Sequence, residues 1–90
     1  MEAPLSTEVL LGYGAQHLAT TYRQQPIVLT RGSGCEVFDT EDRRYLDLTA
    51  GIAACPLGHG HPRLSAAIAA QAAKLIHVSN LYFNEPQLRL

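Results

Sequence analysis

Few side chains among these 90 residues are of the kinds that do covalent or metal chemistry. Lys74 is the only lysine. A Schiff-base role would require a desolvated amine of lowered pKa, whereas its spacing puts it beside an apolar helical stripe, with the stem on the helix and the ammonium in water. His59, His61, Cys35 and Cys55 invite a zinc site, yet no Cys-x-x-Cys pair exists and the two cysteines stand far apart, so no metal is expected. The two imidazoles are expected instead to bond nearby backbone and hold a glycine loop in shape. Gly32-Ser33-Gly34 lacks a third glycine three residues on and is followed by a strand-like run, so it reads as a hairpin turn and not as a nucleotide loop. Tyr22 stands ahead of a bend marked by Pro26, where a half-buried anchor is the ordinary role and a place beside a pocket the other. No acid–base or nucleophile–base pair follows from spacing, so the stretch by itself presents no complete active site.

The elements that must position these residues turn on one corner, Gly51 to Pro62. Three glycines and two prolines in that run exclude a helix interior or a central strand and require a shaped loop. Its close, Gly58-His59-Gly60-His61-Pro62, leads into a helix with proline in the first turn, where the missing amide hydrogen costs nothing. Ahead of the corner, Ser6 caps a helix predicted to run toward Tyr22, with Glu8 in its first turn and Gly12 and Gly14 as weak points. Three β-rich runs follow, Ile27 to Arg31, Glu36 to Thr40 and Arg44 to Leu48, and predict a three-stranded antiparallel meander. In the third, Tyr45, Asp47 and Thr49 alternate with Arg44, Leu46 and Leu48, so the aliphatic side is expected to need a covering layer. Beyond the corner, Leu64, Ile68, Ala72, Leu75 and Ile76 form one helical stripe that is expected to stop near Val78-Ser79-Asn80, with Asn80 suited to a left-handed end. Asn84-Glu85-Pro86-Gln87 starts another helix, with Asn84 as cap and Gln87 placed for a capping-box return.

Composition narrows the partners. Formal net charge is -1 with no basic or acidic run, which leaves no electrostatic footprint for nucleic acid or a membrane surface. Nothing approaches the roughly 18 consecutive apolar residues of a membrane span. Met1 to Leu5 read as a loose terminus without the pattern of a signal peptide, and two cysteines fit a reducing compartment, so a cytoplasmic protein is expected. The apolar share is 47%, but twelve of those residues are alanine, a marginal supply of burial for an independent domain. With a helix just begun at Glu85, the sequence is read as the beginning of a longer protein.

Taken together, Tyr22…Pro26-Ile27-Val28, Arg31-Gly32-Ser33-Gly34, Val37-Phe38-Asp39, Arg44-Tyr45-Leu46-Asp47, Gly51-Ile52-Ala53, Leu57-Gly58-His59-Gly60-His61-Pro62, Gln71, Leu75-Ile76-His77-Val78-Ser79-Asn80 and Asn84-Glu85-Pro86-Gln87-Leu88 resemble the amino-terminal portion of the class III, pyridoxal-phosphate-dependent aminotransferases. The Gly-Ile-Ala run and the Ser-Asn…Asn-Glu-Pro-Gln segment resemble the acetylornithine branch more than the ornithine branch. Two departures stand out: Asp42 occupies a usual turn glycine, and Ala54-Cys55-Pro56 replaces a Val-Asn or Val-Thr run, where Pro56 stiffens the loop.

The resemblance implies an α/β fold of the fold-type-I transferases, α+β within these residues. It divides the chain into an amino-terminal helical segment, 1–22, and the start of the aminotransferase domain, 23–90. It implies pyridoxal 5'-phosphate as cofactor, with the Schiff-base lysine, the phosphate loop and the pyridine-pairing aspartate all beyond Leu90, so no catalytic or cofactor-binding residue is assigned here. By the same resemblance Tyr22 matches a tyrosine bordering the substrate site in the ornithine relatives, Ile52 a position lining it, and Ser79 and Asn80 a segment near it. For the complete protein the resemblance implies a homodimer that moves the terminal amino group of N-acetylornithine to 2-oxoglutarate in arginine biosynthesis, while the 90 residues alone are expected to be inactive. The alternatives are another ω-aminotransferase, acting on succinylornithine or ornithine, and a non-catalytic module that binds a partner through the meander and the helix from Leu64 to Ile76.

Overall fold

The computed structural model describes residues 3–90; Met1 and Glu2, part of the expected loose terminus, lie outside the described residues. The chain forms two units, one ending at Gly60 and one running from His61 to Leu90.

The first unit opens with α1 (Thr7–His17), capped as expected by Ser6, whose hydroxyl accepts the Val9 N–H at 3.3 Å. The helix stops five residues short of Tyr22. Leu18 turns extended, its N–H bonded to the Gly14 carbonyl, and the Thr20-Thr21 pair beyond it has poor helix propensity. The hydroxyls of Thr7 and Thr40 hydrogen-bond each other and tie the first turn of α1 to the end of the second strand.

The meander is present as β1 (Leu29–Ser33), β2 (Glu36–Asp39) and β3 (Arg44–Leu46), antiparallel in that order. β1 lies two residues later than its β-rich composition indicates. Gly32 and Ser33 are therefore strand residues, and the turn is Gly34-Cys35, with Gly34 at φ 58° between the paired Ser33 and Glu36. Positive φ at the first central position is what a two-residue hairpin turn of this twist requires. Register shifts between Leu29 and Arg31, where Thr30 is the extra residue of a bulge and its hydroxyl donates to the carbonyls of Phe38 and Asp39.

The layer under the sheet is polar at its centre. Val37 and Asp39 are the buried residues of the described chain, and the alternation of the strands puts Tyr45 and Asp47 on their side. The other side carries Leu46 and Leu48, 66% and 85% exposed, so within this unit the expected aliphatic face is bare. Asp39 organises the β2–β3 turn: its Oδ1 accepts the N–H groups of Glu41 and Arg43, and its Oδ2 accepts Arg43 Nε and the Tyr45 hydroxyl, all within 2.8–3.0 Å. Burial opposes the Asp39 charge, but the Arg43 side chain, the backbone donors and Tyr45 outweigh it and hold the carboxyl well below the usual range. The bond that each makes to Asp39 raises the Arg43 and Tyr45 pKa values. Asp42, at φ 61°, takes a left-handed turn position, which a short polar side chain tolerates better than most.

The second unit begins with α3 (Pro62–Lys74). His61 is its cap, with Nδ1 accepting the Leu64 N–H at 3.4 Å and Pro62 in the first turn. It ends at Lys74, earlier than expected: Leu75 turns extended, and the Gln71 amide donates to its carbonyl at 3.0 Å. Ser79, not Asn80, takes positive φ, at the head of a 3-10 turn (Ser79–Leu81) whose Leu81 N–H donates to the Ser79 hydroxyl. The short α4 (Glu85–Arg89) is capped by Asn84, whose Oδ1 accepts the Gln87 N–H at 3.0 Å. The return contact runs from the Asn84 amide to the Gln87 side chain at 3.4 Å, in place of the backbone bond of a capping box.

Candidate functional site

Between β3 and α3 the chain makes one unusual structure. Ala50, Gly51, Ile52 and Ala53 form a helical turn, α2 (Ala50–Ala53), with φ values of 51°, 64°, 60° and 61°. It is left-handed. Its bonds are helical in spacing, Ala53 N–H to the Thr49 carbonyl and Ala54 N–H to the Ala50 carbonyl, with Cys55 N–H also reaching Ala50. Only Gly51 takes this backbone freely; each L-residue is disfavoured by roughly 1–2 kcal/mol, and a β-branched Ile52 is a marked outlier. Strain of that kind persists only where surrounding bonds over-determine it, and it concentrates at functional positions.

Those surrounding bonds come from Asp47 and His59. The Ala50 N–H donates to Asp47 Oδ1 at 2.9 Å, and His59 Nε2 meets Asp47 Oδ2 at 2.6 Å. Asp47 is pinned to the hairpin by its own N–H, which donates to the Cys35 carbonyl at 2.7 Å. His59 is pinned by a two-bond exchange with Gly34, N–H to carbonyl in both directions at 2.9 and 3.0 Å. Two glycines make that approach possible. A Cβ on Gly32 would lie 2.7 Å from His59 Cγ, and one on Gly58, at φ 79°, would lie 2.9 Å from the Gly34 carbonyl oxygen. Hydrogen bonding to His59, then to the Ala50 N–H, lowers the Asp47 pKa.

The expected backbone role of the imidazoles therefore holds for His61, the cap of α3, while the His59 ring goes to a carboxylate. Among the described residues no three His, Cys, Asp or Glu side chains converge on a common point, and Cys35 and Cys55 are free thiols.

The substrate-side candidates fall in three places. Ile52 projects from the left-handed turn and is 89% exposed. Tyr22, also exposed, borders a groove of the first unit between α1 and the lead into β1, with Leu10, Leu18 and Pro26. Ser79 and Asn80 line a hollow of the second unit with Gln71, Asn84 and Gln87. The pair Ser79 and Asn80 is thus brought together, and Tyr22 and Ile52 do not share a groove. Sequence reasoning missed Asp47 and Gly32, although the placement of Asp47 on the Tyr45 side of the third run was a usable signal for an inward acid needing a partner.

These residues do not build a site for the implied cofactor. Lys74 closes an exposed helix, Asp39 and Asp47 are already engaged by Arg43, Tyr45 and His59, and both backbone groups of Gly34 are spent on His59. Among the described residues no phosphate cradle or free buried carboxylate is left.

Residues 17–90 match the family described as Aminotransferase class-III. The chain is 58% identical over 72 residues to an acetylornithine aminotransferase of Gloeobacter violaceus, covering 80% of this chain and 18% of that one. The structure superposes on N-acetylornithine aminotransferase from Stenotrophomonas maltophilia K279a with a TM-score of 0.74 at 42% identity, covering 88% of this chain and 20% of the other. On ornithine delta-aminotransferase of Plasmodium falciparum the TM-score is 0.84 at 34% identity, with 90% and 21% covered. The chain spans about a fifth of the length of the curated relatives it matches.

Proposed function

The chain belongs to the class-III aminotransferases, and from that premise we propose that it supplies the amino-terminal part of an N-acetylornithine:2-oxoglutarate aminotransferase of arginine biosynthesis. The observation that carries this reading is the identity with acetylornithine aminotransferases, 58% over 72 residues with that of Gloeobacter violaceus and 48% over 85 residues with that of Myxococcus xanthus. In the complete enzyme pyridoxal phosphate is the cofactor, held by residues outside this chain, and the working form is a homodimer.

This chain's own contribution is a wall. The hairpin fixes Asp47 and His59, these fix the turn, and the turn presents Ile52 toward the amine donor; Tyr22, and separately Ser79 and Asn80 in the second unit, are donor-side candidates on the strength of the resemblance alone. Apolar and amide groups of that kind orient a bound donor and exclude water while leaving the chemistry to other groups. Among the described residues no helix is long and apolar enough to cross a membrane, which suits a protein working in the cytoplasm.

The test is turnover by the full-length protein, followed as glutamate formed from 2-oxoglutarate with N-acetylornithine, succinylornithine or ornithine as donor. The expected order places N-acetylornithine first by kcat/KM. Preference for ornithine moves the protein to the other branch, for which the Plasmodium falciparum likeness speaks. No turnover with any of the three refutes the reading.

A further inference from the structure

We propose that Asp47 is a positioning residue for the donor side of the site: its carboxylate clasps the left-handed turn that presents Ile52, and His59, seated against Gly32, holds that carboxylate in place. The clasp itself stands on geometry; its link to the donor rests on the aminotransferase reading above.

The bonds inside α2 close the turn on itself and do not attach it to anything. Among the described residues its attachment to the sheet is the Ala50 N–H on Asp47 Oδ1. That bond leaves Asp47 Oδ2 to be satisfied, and His59 Nε2 takes it at 2.6 Å. The imidazole cannot drift, because its own backbone exchanges two bonds with Gly34 and its ring lies where a Cβ of residue 32 would be. Each end of the carboxylate thus has a fixed partner, the condition under which a single rotamer is selected and its load is held in one place. What is held is a large apolar side chain in a disfavoured backbone pose, almost wholly exposed. Packing within the unit gives no reason for that pose, and on the aminotransferase reading a bound donor supplies one.

The test uses the full-length enzyme and three variants. Asp47→Ala removes both bonds. Asp47→Asn keeps a carbonyl for the Ala50 N–H. Gly32→Ala, at a position free of positive φ, displaces the His59 ring while leaving Asp47 intact. Amide exchange at Ala53, Ala54 and Cys55 reads the turn directly, with the β2 amides as a control for folding. Asp47→Ala and Gly32→Ala are expected to speed exchange at the turn by about tenfold or more while β2 stays protected, and Asp47→Asn to remain near the parent. In steady-state kinetics the first two are expected to raise KM for N-acetylornithine by about tenfold with kcat within about twofold, the pattern of lost uniform binding. Turn amides as protected in Asp47→Ala and Gly32→Ala as in the parent overturn the clasp. A loosened turn with unchanged KM in an active enzyme overturns the positioning role. A parent protein that turns over no donor refutes the functional reading, and the exchange data still decide the clasp.

Discussion

Asp39 and Asp47 show how two carboxylates of one sheet face divide their work. Asp39 is buried and gathers four donors around the β2–β3 turn; Asp47 joins a ring to a turn. Both have folded pKa values below those of the unfolded chain, so each contributes stability above the unfolded value near about 4 and loses it as pH falls through the folded value. A circular dichroism titration of the full-length protein is expected to show stability declining with acid below about pH 4, with a shallower decline in Asp39→Asn. At the glycines the outcomes should diverge in sign. Gly58→Ala combines positive φ with a collision against the Gly34 backbone and is expected to cost about 2 kcal/mol or more in denaturant melts of the full-length protein. Gly12→Ala, in a helix with nothing within 4 Å of the new methyl, is expected to gain about 0.5–1 kcal/mol. Residue identity made the glycine-rich corner legible in the sequence. It did not show which glycine faces His59, because that contact joins residues 32 and 59 across a fold that periodicity does not encode.

Elements were legible where local chemistry decides them. Ser6, Pro62 and Asn84 mark helix starts, and all three helices begin where those residues say. In the full-length protein Ser6→Ala is expected to cost about 1 kcal/mol and to raise exchange at the Val9 amide, the one its hydroxyl holds. Ends were read less well. α1 and α3 both stop at a leucine turned extended, with bonds to Gly14 and Gln71 that the apolar stripe does not announce. The strand bounds moved because pairing partners, not β-rich composition, set them: β1 runs on to Ser33 opposite Glu36. The left-handed α2 was out of reach of propensity altogether, since Ala50 and Ala53 favour the right-handed helix and Ile52 a strand.

At the scale of the molecule, burial is the quantity that stands out. Val37 and Asp39 are its buried residues among those described, while Leu48, Ile76, Leu81 and Phe83 are more than 80% exposed. The polypeptide of 90 residues, produced by itself, is expected to melt without a cooperative heat-absorption peak and to bind a hydrophobic dye, in a calorimeter and a fluorimeter respectively. A sharp two-state transition would contradict that. Family membership was legible because many short motifs keep their order along the chain; the groove bordered by Tyr22 and the hollow at Ser79 were not, because each depends on side chains brought side by side by turns between elements.

The exchange of backbone bonds between Gly34 and His59 joins residues 25 apart in the chain, which bears on when the turn can close during synthesis. The contacts around Asp39 lie within a few residues of one another and can close as soon as β3 leaves the ribosome, whereas the His59 bridge must await a segment made later, at synthesis rates of about 5–20 residues per second. The left-handed turn is therefore expected to close last in its unit: a ribosome-stalled chain ending before His59 should show faster amide exchange at Ala53 and Ala54 than one extended past Pro62.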